Sequence, residues 1–335
     1  MSYAELGHRS QVLVMRTHAL GVLEAFPFEV SAVRLVLHGY NTTFRVDVAD
    51  GRRFALRVNV NSKRSLPQIA AEQAWLRALA AGTDVVVPVP VANGDGEFVT
   101  VRRNLALGRD LPAVLNTWLP GRNLGEGPTL HPMRAVGALA AALHTHAESW
   151  RLPAGTVLNR FDQPLLDQPN HLASDHELLT AERHAIIDAS LAEVRRQMRS
   201  LFRGATPIVT HQDLHGSNLR WHAGRLAVFD FDDSGLGLPV QDLAIAAYYL
   251  RDHDRREAAM LEGYEQVRPL PSFTRSQYEA ILAGRNLVLL NELFTATTAG
   301  FRAWLPCYAH NSMVKLRHWL DTGVYRHEVP GLLAA

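Results

Sequence analysis

Cysteine occurs once in the 335 residues, as Cys307, which excludes an internal disulfide and a cysteine-built structural zinc site. A reducing compartment fits that scarcity. Lysine is nearly as rare: Lys63 and Lys315 are the only two among 34 basic residues, a bias that base composition produces as readily as function. Long apolar runs are absent, since stretches such as AVGALAAAL at 135–143 are too short to cross a bilayer. The opening MSYAELGHRSQ lacks the basic-then-apolar pattern of a secretory leader, so a cytoplasmic location without membrane association is expected. Charge of one sign is also missing. The formal net charge is +1 with the signs interleaved, and nothing resembles the basic footprint of a nucleic-acid binder. What is present, 47% hydrophobic and 20% charged residues, is the composition of a soluble globular chain, and the length suggests one large or two modest domains, with two favoured. Oligomeric state is not legible.

Residues 3–25 carry apolar positions at helical spacing. From 32 the texture becomes β-branched and aromatic, broken at HGYN and at Asp50-Gly51, which predicts strands near 32–38, 43–49 and 52–59. SLPQIAAEQAWLRALAAG reads as a helix with Pro67 in its first turn and Gly82 as its stop. Strands are predicted at 97–103 and 112–118, and the Gly/Pro-rich NTWLPGRNLGEGP is a connector. Beyond it, helices are expected at 131–149, 177–201, 240–263, 274–296 and 309–321. Short strands at 207–210, 218–222 and 225–231 interrupt them. The expected division is an N-terminal lobe at 1–115, a hinge at 116–124 and a helical C-terminal lobe at 125–335.

The interruption carries the chemistry. HQDLHGSN at 211–218 fits the kinase catalytic-loop pattern H-R-D-L-x-x-x-N with Gln in place of Arg, and Asp230 follows at the end of the apolar run LAVF. Phosphoryl transfer from ATP needs a carboxylate to orient and deprotonate the acceptor hydroxyl, as Asp213 would do. It also needs hard oxygen donors for Mg²⁺, as Asn218 and Asp230 would be. A metal pair of His211 and His215 would require a helix, against which Gly216 and Ser217-Asn218 argue. Two further histidines, His144 and His146, sit near a helix end, where contacts to backbone carbonyls are expected.

HQDLHGSN, FDFDD, LPVQDLA and LAAALH together resemble the aminoglycoside phosphotransferase/choline kinase-like family, and the likeness extends over about residues 30–300. The resemblance implies an α+β, protein-kinase-like bilobal fold: a small antiparallel-sheet lobe with one helix, and a larger, mainly helical lobe. By it, GYNTTFRV is similar to the phosphate-covering hairpin, FALRV to the strand bearing a phosphate-contacting basic residue, and AAEQAWLRAL to the helix bearing its glutamate partner. Arg57 then pairs with Glu72, and Asn116, Thr117, Trp118 and Leu119 line the adenine. Asp213 is the base, Asn218 and Asp230 hold Mg²⁺, and His211 and Asp242 shape the loop. Three departures stand out. Arginine replaces the usual lysine at 57, HGYN has one glycine, and FDFDD has Asp232 where protein kinases have glycine. Asp232 and Asp233, with His215, are candidates for a second cation or for the substrate; a capped turn before Ser234-Gly235 is the competing account of the two aspartates.

The implied activity is transfer of the γ-phosphate of Mg-ATP to a hydroxyl of a small molecule: an amino alcohol, homoserine, a sugar or an aminoglycoside. Two alternatives stay open. DFDDSGLGLPVQDLA with LEGYEQ is similar to the bacterial stress-response Ser/Thr kinases of the same family, and the homoserine kinase type II branch is similar as well. Arg57 is the one feature in favour of a nucleotide-binding pseudokinase. The short run from Asp230 to Asp242 leaves no room for a protein-kinase activation segment, which favours a small acceptor.

Overall fold

Alternating buried and half-exposed positions build the first lobe. Strands β1 (Val30–His38), β2 (Thr42–Val48) and β3 (Arg53–Val58) form an antiparallel meander whose second turn holds Gly51 at a φ of 87°. Adding β4 (Thr100–Asn104) and β5 (Arg109–Thr117) gives five antiparallel strands in the order β1-β2-β3-β5-β4. Helix α1 (His8–Leu23) packs Met15, Ala19 and Val22 against Phe44, Val46, Leu56 and Leu111 of this sheet. The computed structural model describes residues 2–125, 129–166 and 168–334. Residues 126–128, the end of the expected connector, lie outside them.

Helix α2 (Leu66–Gly82) begins at Ser65, whose backbone N–H donates to Gln68 Oε1 (2.7 Å). Ala71, Trp75, Leu76 and Leu79 join the core of the helical lobe rather than that of the sheet, and Trp75 meets Phe231 edge-on at 5.3 Å. A helix that lies between β3 and β4 in the chain is thereby anchored to the other lobe. Gln11 and Asn61 add polar ties, donating to Thr297 O (2.9 Å) and accepting from Thr297 N (2.9 Å) respectively.

The second lobe holds α3 (Leu130–Ser149), α4 (Ala181–Leu201), α5 (Pro239–Tyr248), α6 (Asp254–Glu265), α7 (Arg275–Leu293) and α8 (Ala299–Thr322). Two small sheets frame the polar block. One runs β10-β9-β6, from β6 (Arg122–Asn123), β9 (Leu219–His222) and β10 (Arg225–Val228). The other runs β7-β11-β8, from β7 (Asn159–Arg160), β8 (Ile208–Thr210) and β11 (Gly235–Gly237). The helix expected over 240–263 is divided. Asp252 adopts a φ of 71° and its carboxylate accepts the backbone N–H groups of His327 and Glu328 (2.8 Å each), so a distant segment of chain outweighs local helical pattern. The helix expected from 309 starts at Ala299 and accommodates Pro306 in its interior. The strand expected to reach 231 stops at Val228, because Asp230 turns into the left-handed region at φ 63°. Among the described residues no helix is long and apolar enough to cross a membrane.

Helices α3 and α6 approach through glycine: a Cβ on Gly137 would overlap Met260 O, and one on Gly263 would overlap Arg134 O. Gly263→Ala is expected to lower stability by about 1–3 kcal/mol despite alanine's better helix propensity. Urea denaturation measures it, and an unchanged or raised midpoint would contradict this packing.

Candidate active site

Asp242, in the first turn of α5, has no exposed surface, yet three donors reach it. Its Oδ2 takes His211 N (2.9 Å) and His144 Nε2 (2.9 Å), and its Oδ1 takes Gln212 N (2.5 Å). Burial alone would raise this carboxyl's pKa; the bond from His144, together with the charge and backbone bond of His211, outweighs that and keeps it below the ordinary range. Gln212 is thus held in a left-handed conformation, φ 65°, at the entry of the catalytic-type loop. His211 is equally buried. Its Nδ1 accepts Asp213 N (3.2 Å) and its Nε2 donates to Phe229 O (3.2 Å) just past β10, so both ring nitrogens are engaged by backbone atoms. His144 therefore contacts a carboxylate, and Tyr264 OH (3.0 Å), where carbonyls were expected; His146 accepts from Trp75 Nε1 (3.3 Å).

The loop presents Asp213 with each oxygen in a different setting. Oδ2 accepts Asn218 Nδ2 (2.7 Å) and lies 3.3 Å from His215 Nε2, while Oδ1 accepts Tyr249 OH (3.3 Å) and Arg285 Nη2. Burial pushes the carboxyl up, but Arg285 and His215 prevail and hold it well below the usual carboxylate range. His215 stacks on Tyr249 with ring centroids 4.4 Å apart. The Asn218 amide nitrogen also donates to Asp213 O (3.1 Å), which leaves its carbonyl oxygen for another partner.

Across the cleft, Arg57 of β3 donates to Glu72 Oε2 of α2 (2.8 Å), forming the pair that the resemblance implied. The same guanidinium lies 3.5 Å from Asp230 Oδ1 and 3.5 Å from Asp232 Oδ1. Arg64, which the sequence reading passed over, shares Glu72 Oε2 (3.3 Å) and donates to the carbonyls of Phe231 (3.3 Å) and Asp232. Asp232 also accepts Asn41 Nδ2 (2.7 Å) from the β1–β2 turn, so it fastens that hairpin to the FDFDD segment. Asp233 turns the other way, its Oδ2 receiving Arg285 Nη1 (3.2 Å). The two adjacent aspartates thus serve different lobes.

Asp230 is left with a surplus of negative charge. Its Oδ1 is buried without a hydrogen-bond donor although the side chain as a whole is 41% exposed; partial burial, with Asp232, Asp213 and Asp233 nearby, pushes the carboxyl up to about 7 against the pull of Arg57. Asp233 is pushed up to about 6 by burial and by Asp213 and Asp232, with Arg285 opposing. Glu292 of α7, pushed up to about 8, is a further acidic neighbour; its Oε1 accepts Gln168 Nε2 (2.9 Å).

The segment expected to line adenine, Asn116 to Leu119, closes β5. Thr117 N donates to Val89 O (2.9 Å), Trp118 N donates to Arg53 O (3.1 Å), and the Trp118 ring lies 4.9 Å from the Arg220 guanidinium. The buried Asn116 Oδ1 has no donor. Asn41, Arg64, Tyr249 and Arg285 were missed by sequence reasoning. For Arg285 a signal exists: Arg285-Asn286 interrupts the apolar run of ILAGRNLVLL.

A two-lobed, kinase-like fold with a carboxylate-rich cleft defines the class of this protein. Residues 32–279 match the model of the phosphotransferase enzyme family, and the chain belongs to that family. It is 26% identical over 312 residues to the homoserine kinase of Gluconobacter oxydans (strain 621H), covering 87% of this chain and 89% of that one. Two solved structures share the fold. A microcompartment-associated aminopropanol kinase superposes with a TM-score of 0.77 at 23% identity, over 93% of this chain and all of that one. An amicoumacin kinase in complex with AMP-PNP, Ca²⁺ and Ami gives 0.74 at 18% identity, over 91% and 96%.

Asp242→Ala would leave three inward donors without an acceptor, and its cost is expected at about 3–5 kcal/mol. Chemical denaturation reads the loss; a change under about 1 kcal/mol would show that the loop keeps its shape without this carboxylate.

Proposed function

We propose that the chain is an ATP-dependent phosphotransferase that moves the γ-phosphate to a hydroxyl of a small molecule in the cytoplasm, with residues 116–124 as the hinge between lobes at 1–115 and 125–335. The observation that carries the reading is the assembly of Asp213, Asn218 and Asp230 around one cleft, with the Arg57–Glu72 pair opposite. In this reading Asp213 accepts the acceptor's hydroxyl proton as the new O–P bond forms and the bond to the β-phosphate oxygen breaks, releasing ADP. A carboxylate of such low basicity orients the hydroxyl and takes the proton late, in keeping with a loose transition state.

The donor set suits a divalent cation. Asp230 offers a buried oxygen with no donor and a carboxyl whose charge lacks compensation, and Asn218 offers an amide oxygen, both hard ligands. Among the described residues no three His, Cys, Asp or Glu side chains converge as a metal cage, so phosphate oxygens would complete the shell. Such a cation neutralises charge on the transferring phosphoryl group. In this reading Arg57, whose Nε and Nη2 are held by Asn59 and Glu72, contacts phosphate through Nη1. That geometry favours an active enzyme over a pseudokinase. Adenine is assigned to the Asn116–Leu119 edge.

A hydroxylated small molecule, with amino alcohols first, is the acceptor class favoured by relatives named for homoserine and aminopropanol. The stretch from Asp230 to Asp242 supports this choice over a protein acceptor. It is taken up by a 3-10 turn (Phe231–Asp233), β11 and the start of α5, leaving no activation-type segment.

Purified protein with Mg-ATP is expected to release ADP in the presence of 1-amino-2-propanol or L-homoserine. Asp213→Asn is expected to lower turnover by at least about 100-fold. Undiminished turnover would remove Asp213 from its role. Asp230→Ala is expected to abolish the Mg²⁺-dependent part of nucleotide-induced thermal stabilisation, which the wild type would show. Equal stabilisation of both proteins would exclude Asp230 as a ligand.

A further inference from the structure

Arg285 lies in the middle of α7 with its side chain 3% exposed. Withdrawing a guanidinium from water is costly unless every face is paired, and helix packing alone is better met by an apolar residue. The neighbours of Arg285 explain the burial. Nη2 reaches Asp213 Oδ1 and Tyr249 OH (3.1 Å), Nη1 reaches Asp233 Oδ2 (3.2 Å), and Nε lies 3.4 Å from the same hydroxyl. The fork therefore joins three elements: the catalytic-type loop, the FDFDD segment and the end of α5 through Tyr249.

These contacts make the two oxygens of Asp213 inequivalent. Oδ1 accepts a guanidinium and a phenol, while Oδ2 accepts Asn218 Nδ2 (2.7 Å) and meets His215 Nε2 only at 3.3 Å, a long contact that an entering hydroxyl can replace. A carboxylate held at both ends cannot rotate. A base free to rotate would meet the acceptor hydroxyl in many orientations, only a few of them productive. We propose that Arg285 is the positioning residue of the reaction: it grips Asp213 through Oδ1 so that Oδ2, on the Asn218 side, receives the acceptor hydroxyl. Asp233 and Tyr249 hold the guanidinium in place. The proposal rests on the reading of Asp213 as the base, and it gives Asp233 a task distinct from that of Asp232.

The test is steady-state kinetics with Mg-ATP and whichever of 1-amino-2-propanol and L-homoserine the wild type phosphorylates, or water as acceptor if neither is used. Arg285→Ala is expected to lower kcat by about 100-fold, the order of loss for a misplaced catalytic group, with the KM for ATP within about twofold of wild type. Methylguanidinium added to that variant is expected to restore at least about tenfold, which mere weakening of the fold would not allow, and to do nothing for Asp213→Asn. Arg285→Lys, with one point charge in place of a fork, is expected to lie between. Should Arg285→Ala fail to fold, Asp233→Asn and Tyr249→Phe each remove one support of the guanidinium. Each is then expected to lower kcat several-fold at unchanged KM for ATP. A wild-type kcat in these variants, a loss confined to the KM for ATP, or an Arg285→Ala enzyme that methylguanidinium does not rescue would overturn the proposal. Activity surviving in Asp213→Asn would instead sink the base assignment on which it stands.

Discussion

Too many carboxylates in one cleft is the constraint from which the rest of this structure follows. Glu72 and Asp232 are buried, Asp213, Asp230 and Asp233 border them with part of each side chain open to solvent, and like charges so close together cannot all ionise without compensation. Three arginines supply most of it, each from a different element. Arg57 comes from the sheet, Arg64 from the approach to α2 and Arg285 from α7. What they leave uncompensated appears in the elevated carboxyls of Asp230 and Asp233. In the proposed function a divalent cation on Asp230 would complete that arrangement, and phosphoryl transfer requires such a cation.

The same charges do mechanical service. Asp232 draws Asn41 of the hairpin, Arg57 and Arg64 to one point, so the β1–β2 turn and the FDFDD segment are tied to each other. Asp242 works from below, where its bonds to His211 N and Gln212 N set the path of the loop and His144 secures the carboxylate itself. Between these supports Asp213 has little freedom. Removing positional freedom before the chemistry begins is a large part of what a phosphotransferase contributes, since the transition state needs alignment and charge more than covalent help.

Legibility in the sequence followed the distance between partners. The loop 211–218 was readable because Asp213, Asn218 and His211 fall within eight residues, whereas the Arg57–Glu72 pair, 15 positions apart, came only from the family resemblance. Asn41 and Asp232 are 191 residues apart, and Arg285 and Asp213 are 72 apart. No local pattern encodes such meetings; the only trace was a charged residue in an apolar helical run. Secondary structure failed for the same reason where Asp252 breaks one helix into α5 and α6 to receive the amides of 327 and 328. Asp232 and Asp233 look alike in sequence and part company only in three dimensions.

Crowding that keeps a proton on the cleft's carboxylates until a cation displaces it can be measured as proton release. Mg²⁺ would be titrated calorimetrically into the ADP-saturated protein at pH 7, in buffers of differing ionisation enthalpy, and the proton count compared with that for free ADP. A carboxyl pushed up to about 7 is partly protonated at that pH and must give up its proton to bind metal, so release beyond that of the free nucleotide is expected. Release no greater than for ADP alone would contradict the account.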